Sequence, residues 1–167
     1  DICFAYPGGV RGIDKICLSI DKGEFILLAG KNGSGKTTLL KHLNGLLTPS
    51  SGQITVNGNP VKKHLTDTRK AVGMVFQDAD AQIVGDTVFD EVAFGPENLK
   101  LDRSGIKRKV TRILKMMDLY HLKDRNPWTL SGGEKRRLAI AGVLVMDPSV
   151  IVFDEPFSNL DYPGALT

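Results

Sequence analysis

The chain is short of cysteine, of long apolar runs and of excess charge, and each shortage excludes something. Cys3 and Cys17 are its only cysteines. Two thiols make neither a disulfide framework nor a zinc cluster, which fits a reducing compartment. No run of about 18 apolar residues occurs, so no segment here spans a bilayer as a helix. The longest apolar stretch, Leu138 to Met146, is broken only by Gly142. Lys and Arg total 22 against 19 Asp and Glu, a net charge of +3, which is too weak to argue for a nucleic-acid partner. The one dense basic cluster, Lys135-Arg136-Arg137, lies inside a motif with its own explanation. No signal peptide is expected, so any membrane role is played from outside the bilayer.

What the chain has in plenty is glycine, 18 of 167 residues, above the usual share of about 7%. The apolar pattern shows where those glycines sit. Ile2 to Tyr6, Ile16 to Ile20 and Phe25 to Ala29 read as strands, separated by Pro7-Gly8-Gly9 and Asp21-Lys22-Gly23. The third is apolar on consecutive residues, the pattern of a strand buried on both faces. Thr37 to Leu47 reads as a helix, Gln53 to Val56 as a short strand before an Asn57-Gly58 turn, and Ala71 to Phe76 as a buried strand. Residues 85–130 then change character. Val88 to Phe94 has helical periodicity, and so does Gly105 to Leu119, where Ile106, Val110, Ile113, Leu114 and Met117 recur at three- and four-residue spacing. With no strand pattern between them, this region is a helical insert. Ser131 to Met146 is a further helix, and Val150 to Phe153 a last short strand. The fold class expected is therefore α/β.

Three clusters carry chemistry. Gly30-Lys31-Asn32-Gly33-Ser34-Gly35-Lys36-Thr37 matches G-x-x-x-x-G-K-[ST] between an apolar stretch and a helix. Glycines let the backbone curl so that N–H groups point inward, and the positive end of the following helix adds to that field. Lys36 is placed to reach β- and γ-phosphates, and Thr37 to set its hydroxyl on Mg²⁺. Val150 to Phe153 runs into Asp154 and Glu155. At a strand's carboxyl end, Asp154 is placed to hold the magnesium, and Glu155 to orient or deprotonate a water for in-line attack. Leu130-Ser131-Gly132-Gly133-Glu134 gives a second anion site, in which a hydroxyl and two glycines open a helix. No Asn-Lys-x-Asp sequence is present, which argues against a GTPase. Tyr6 is either an aromatic platform for adenine or a strand tyrosine packed in the small sheet.

Leu130 to Arg137 resembles the signature loop of the ABC transporter ATPases, where Gln is the common residue at the place of Glu134. The rest of the chain carries the resemblance on. Gly30 to Thr37 corresponds to Walker A, Val150 to Glu155 to Walker B, Gln77 to the Q-loop glutamine, Ser158-Asn159-Leu160-Asp161 to the D-loop, and Tyr6 to the aromatic A-loop position. The resemblance implies a P-loop NTPase fold with an ABC-type small antiparallel β subdomain, with 1–167 one ATPase domain and 85–130 its helical subdomain. It implies ATP and Mg²⁺ as cofactors. Glu155, Gln77 and Lys36 would be catalytic, and Thr37, Gln77 and Asp154 would face the metal. Tyr6, Asn32, Gly33, Ser34, Gly35, Lys36, Thr37, Thr38, Ser131, Gly132, Gly133 and Asp161 would surround nucleotide. Two such domains pair head to tail in the family, so that Ser131 and Gly133 of one face the γ-phosphate held by Lys36 of the other. Glu134 is expected to stay near the loop without touching phosphate.

Asp86 to Leu99 looks like the ATPase subunit of energy-coupling factor importers of cobalt, nickel and vitamins. The partners so implied are a second ATPase subunit, identical or not, and integral membrane transport subunits. The place implied is the cytoplasmic face of the membrane, and nucleic acid is not implied. Phe76 to Phe94 is the expected transmission segment. Another ABC transporter's ATPase subunit is the alternative, as is a short nucleotide-binding module with little hydrolysis. Phe157 replaces the usual Thr, and His42, His64 and His121 all precede the Walker B strand, so none matches the family's switch histidine. On that ground the chain is expected to be an incomplete ATPase subunit.

Overall fold

The computed structural model describes residues 1–156. Phe157 and the D-loop positions Ser158 to Asp161 lie outside the described residues. The chain divides into two compact units, Asp1–Val72 and a second beginning at Gly73.

In the first unit, β1 (Ile2–Ala5) pairs antiparallel with β2 (Arg11–Ile16). The connection is tight: Tyr6 N–H donates to the Val10 carbonyl at 2.8 Å, and Gly9 N–H to the Tyr6 carbonyl at 3.0 Å. Gly8 and Gly9 both stand at positive φ, 90° and 80°, where glycine carries no steric penalty. Because that turn is short, the second strand starts at Arg11, earlier than the apolar Ile16 to Ile20 stretch suggests. The strand expected over Phe25 to Ala29 does not form. A strand needs a hydrogen-bonded neighbour, and no described strand pairs with this segment. Phe25 is 94% exposed and Leu27 79%, so the expectation of burial on both faces fails with it.

Helix α1 (Lys36–Leu43) opens directly from the glycine loop and buries Thr38, Leu40 and His42. It stops where Gly45 takes φ 73° and returns its N–H to the His42 carbonyl, a left-handed glycine stop. β3 (Thr55–Val56) and β4 (Asn59–Pro60) form a minimal antiparallel hairpin. Asn57 and Gly58 supply the two positive φ values that such a turn demands. α2 (Leu65–Ala71) has one buried residue, Thr68. It carries no apolar stripe, which is why periodicity does not reveal it.

β5 (Val72–Val75), all but its first residue in the second unit, and β6 (Val150–Phe153) form one two-stranded sheet. Gly73 is required there, since any side chain would collide with Val143. The core is helical: α3 (Val88–Asn98), α4 (Arg103–Met116) and α5 (Gly132–Leu144) meet around Val88, Val92, Val110, Leu114, Leu119 and Leu138. The three- and four-residue spacing on α4 is the stripe that faces inward, with Ile106, Val110, Ile113 and Leu114 all buried. Thr87 caps α3 by accepting the Asp90 N–H at 3.1 Å, and Asp102 caps α4 by accepting the Gly105 N–H at 2.7 Å. Leu114 is fully buried in this cluster. Truncating it to alanine should cost roughly 2–5 kcal/mol, read as a lower urea midpoint. A loss under about 1 kcal/mol would contradict a packed core here.

Two exposed carboxylates hold α4 in place. Hydrogen bonds from the Ser104 hydroxyl and Gly105 N–H keep Asp102 below the ordinary carboxylate range. The Lys109 ammonium at 2.7 Å, with Arg112 at 3.1 Å, does the same for Asp147. Each therefore binds a proton less readily in the fold than in the unfolded chain. Their stabilisation is complete above the unfolded carboxylate value and is lost as pH falls through the lowered folded one. Asp147→Asn should flatten the acid limb of a stability-against-pH curve below roughly pH 4, measured by urea unfolding. An unchanged acid limb would rule the contribution out.

Candidate functional site

The glycine loop builds its geometry from backbone chemistry. Gly33 and Gly35 take φ 77° and 94°. A Cβ on Gly35 would stand 2.5 Å from the Gly12 carbonyl oxygen of β2, so both conformation and space demand glycine. A Cβ on Gly33 would meet nothing within 4 Å. Ser34 N–H donates to the Lys31 carbonyl at 3.2 Å and tightens the bend. Gly35 is the N-cap of α1 and makes no side-chain capping bond. Lys36 curls back over the loop, and its ammonium donates to the carbonyls of Gly30 at 2.9 Å and Lys31 at 3.0 Å. Among the described residues no carboxylate pairs with it. A cation held only by carbonyls, beside an uncapped helix start and an open glycine bend, fits an anion of phosphate type.

Thr38 and Tyr6 join this cluster. The Tyr6 hydroxyl and Thr38 Oγ1 lie 2.8 Å apart. The Tyr6 ring packs edge-on against Phe4, with centroids 4.9 Å apart, and is 38% exposed. The structure thus ties the aromatic ring to the first turn of α1 while leaving part of it open. His42, passed over in the sequence, lies fully buried beneath. Its Nδ1 is 2.7 Å from the Thr38 carbonyl, and its Nε2 has no hydrogen-bond partner.

In the second unit the β5–β6 pairing does the assembling. Asp154 N–H donates to the Val75 carbonyl at 3.0 Å, and the Asp154 side chain is buried. Glu155, next in sequence, is exposed and sits at φ 49°. For a residue other than glycine this conformation costs of order 1–3 kcal/mol, and such strain gathers at functional positions. Its carboxylate accepts a hydrogen bond from the Gln77 side-chain amide at 2.9 Å. Gln77 and Glu155, remote in sequence, are therefore in direct contact. Among the described residues no cluster of three His, Cys, Asp or Glu side chains stands ready to hold a metal.

The start of α5 is a full capping box. Ser131 Oγ accepts the Glu134 N–H at 3.3 Å, and Glu134 Oε2 accepts both the Ser131 N–H at 2.7 Å and the Ser131 hydroxyl at 2.8 Å. These bonds from Ser131, helped by the charges of Arg137 and Arg125, hold the Glu134 carboxyl below its ordinary range. Gly132 has open space around it, and Gly133 nearly so.

Sequence reasoning missed the clasp that ties the segment after Gln77 to α5. Asp80 pairs with Lys135 at 2.8 Å, and Lys135 also lies over the Trp128 ring. Gln82 accepts the Phe76 N–H at 3.0 Å and donates to the Ala139 carbonyl at 3.3 Å. Buried Glu91 accepts the N–H groups of Val84 and Gly85, each at 2.7 Å. Each is a polar residue inside a helical or loop stretch, with no spacing that announces its partner.

A glycine loop feeding a helix, a small antiparallel β unit and a helical insert are the parts of a P-loop NTPase fold of the ABC type. The family model for ABC transporters matches residues 13–158, and the chain belongs to that family. It is 45% identical over 165 residues to an energy-coupling factor transporter ATP-binding protein of Carboxydothermus hydrogenoformans, covering 98% of this chain and 61% of that protein. A cobalt import ATP-binding protein of Rhodobacter capsulatus is 45% identical over 166 residues, covering 98% of this chain and 59% of its own length. Among solved structures, cbiO1 from Clostridium perfringens, part of the ABC transporter complex cbiONQ, superposes with a TM-score of 0.87 at 40% identity, covering 99% of this chain and 67% of that one. The chain spans about three fifths of the length of these two curated relatives.

Proposed function

We propose that this chain binds ATP with Mg²⁺ and hydrolyses it to ADP and phosphate within a head-to-tail pair of such domains. The pair would power import of a metal ion or vitamin through membrane partners. The observation that carries this reading is Lys36, folded over the glycine loop at the uncapped start of α1. The Lys36 ammonium and the loop N–H groups of Asn32 to Thr38 bind and neutralise the triphosphate. Tyr6 stacks on the base from its tether to Thr38. Thr37, Asp154 and Gln77 would hold Mg²⁺, whose chemistry there is neutralisation of phosphate charge. Glu155, held by Gln77, orients the attacking water and takes its proton. Ser131, Gly132 and Gly133 meet the γ-phosphate bound by the other domain, and Asp161, outside the described residues, is assigned to the nucleotide by the family's motif order alone.

Residues 1–167 would act as one ATPase domain, with 85–130 its helical subdomain facing the membrane partner. Its place would be peripheral, on the cytoplasmic face. The likeness to cobalt and energy-coupling factor importer subunits supports this, and no helix among the described residues is long and apolar enough to cross a membrane. Steady-state phosphate release from the full chain with Mg²⁺ and ATP tests the reading. Saturable turnover that rises more than linearly with protein concentration is expected, and turnover strictly proportional to protein would contradict the paired site.

A further inference from the structure

We infer that Glu134 is a resident anion of the α5 start, competing with nucleotide phosphate for Ser131 and so setting the ATP level at which two chains close. This deepens the reading above and rests on it. Ser131 has two donors, its N–H and its hydroxyl, and both are spent on one oxygen of Glu134, at 2.7 and 2.8 Å. The remaining face of the hydroxyl accepts the Glu134 N–H at 3.3 Å. Ser131 thus has no hydrogen left to give to a phosphate while Glu134 stays in place. The neighbouring N–H groups of Gly132 and Gly133 belong to the first turn of α5, where no intrahelical acceptor exists; a Cβ on Gly132 would meet nothing within 4 Å, and one on Gly133 would meet the Arg137 guanidinium at 4.0 Å. An arriving phosphate therefore finds two open donors and two occupied ones.

The occupant's carboxyl is held below its ordinary range, and the residue is only half-buried. Charge-assisted hydrogen bonds and the positive end of the helix hold it, rather than burial. It can swing away, and doing so opens Ser131 at a cost. Its own charge also repels the incoming phosphate. Glutamine at this place keeps the capping geometry, because its amide oxygen also accepts from Ser131. It removes the charge that makes the grip strong and the repulsion real.

The test is ATP-driven dimerisation of the full chain in a slow-hydrolysis Glu155→Gln background, followed by sedimentation with and without Glu134→Gln. The gain should be roughly threefold per site, which raises the dimer constant about tenfold; because two ATP enter each dimer, the ATP concentration for half-maximal dimer should drop about threefold. Nucleotide affinity of the monomer should not change, and the gap between the variants should narrow at high salt, which screens the repulsion. Thermal unfolding of Glu134→Gln close to that of the parent separates the effect from a lost cap. An equal or higher ATP requirement in Glu134→Gln overturns the inference while leaving the paired site intact. If ATP produces no dimer in either protein, the paired-site reading falls, and this inference falls with it.

Discussion

Replacing Glu155 with glutamine should slow ATP hydrolysis by roughly 10²–10⁴-fold, the usual contribution of a positioned general base, and leave ATP affinity almost unchanged. The two readouts part company because of where Glu155 sits. It is exposed at the end of β6, beyond the buried Asp154, and its described hydrogen bond runs to the Gln77 amide at 2.9 Å. The Lys36 ammonium, by contrast, donates to the Gly30 and Lys31 carbonyls. Glutamine has the size of glutamate, so the contact with Gln77 persists, but it takes no proton from water at neutral pH. The backbone at φ 49° is unaffected by the exchange. Single-turnover and equilibrium-binding measurements on the same protein separate the effects. Turnover within a few-fold of the parent would remove Glu155 from the chemical step.

Lys36→Ala should act on the other side of that divide and weaken ATP binding itself by about 10- to 100-fold, in keeping with roughly 1.5–3 kcal/mol for hydrogen bonds to a charged group. Its ammonium is the one cation that lies over the loop carbonyls of Gly30 and Lys31 among the described hydrogen bonds. Alanine is a good helix former at the first position of α1, so the helix should survive and the loss should fall on the ligand. Circular dichroism checks the helix, and a fluorescent-nucleotide titration reads the affinity. Unaltered affinity would mean the phosphate binds elsewhere.

The parts legible in the sequence are those in which chemistry restricts residue type at fixed spacing. Gly35 must be glycine both for its φ of 94° and for the approach of the Gly12 carbonyl, so the loop motif reads directly. Ser131 followed three residues later by Glu134 spells a helix cap in residue types alone, and the capping box forms at that place. The helical stripe Ile106-Val110-Ile113-Leu114 is visible from periodicity and is buried as expected. What the sequence hides is pairing. Phe25 to Ala29 has the apolar character of a buried strand, yet finds no described strand beside it. Strand formation depends on a neighbour, and local residues do not announce one. For the same reason the Gln77–Glu155 contact follows only once β5 lies beside β6, and the Asp80–Lys135 pair only once the loop after β5 lies on α5. Charge alone nominates too many partners.

The central claim is that the loop over which Lys36 folds is the seat of a nucleotide. Calorimetric titration of the full chain with ATP, in the presence of Mg²⁺, tests it most directly. The expected result is a saturable isotherm with one ATP per chain, lost or greatly weakened in Lys36→Ala. An absence of saturable heat in the parent, or an identical isotherm in the variant, would contradict it.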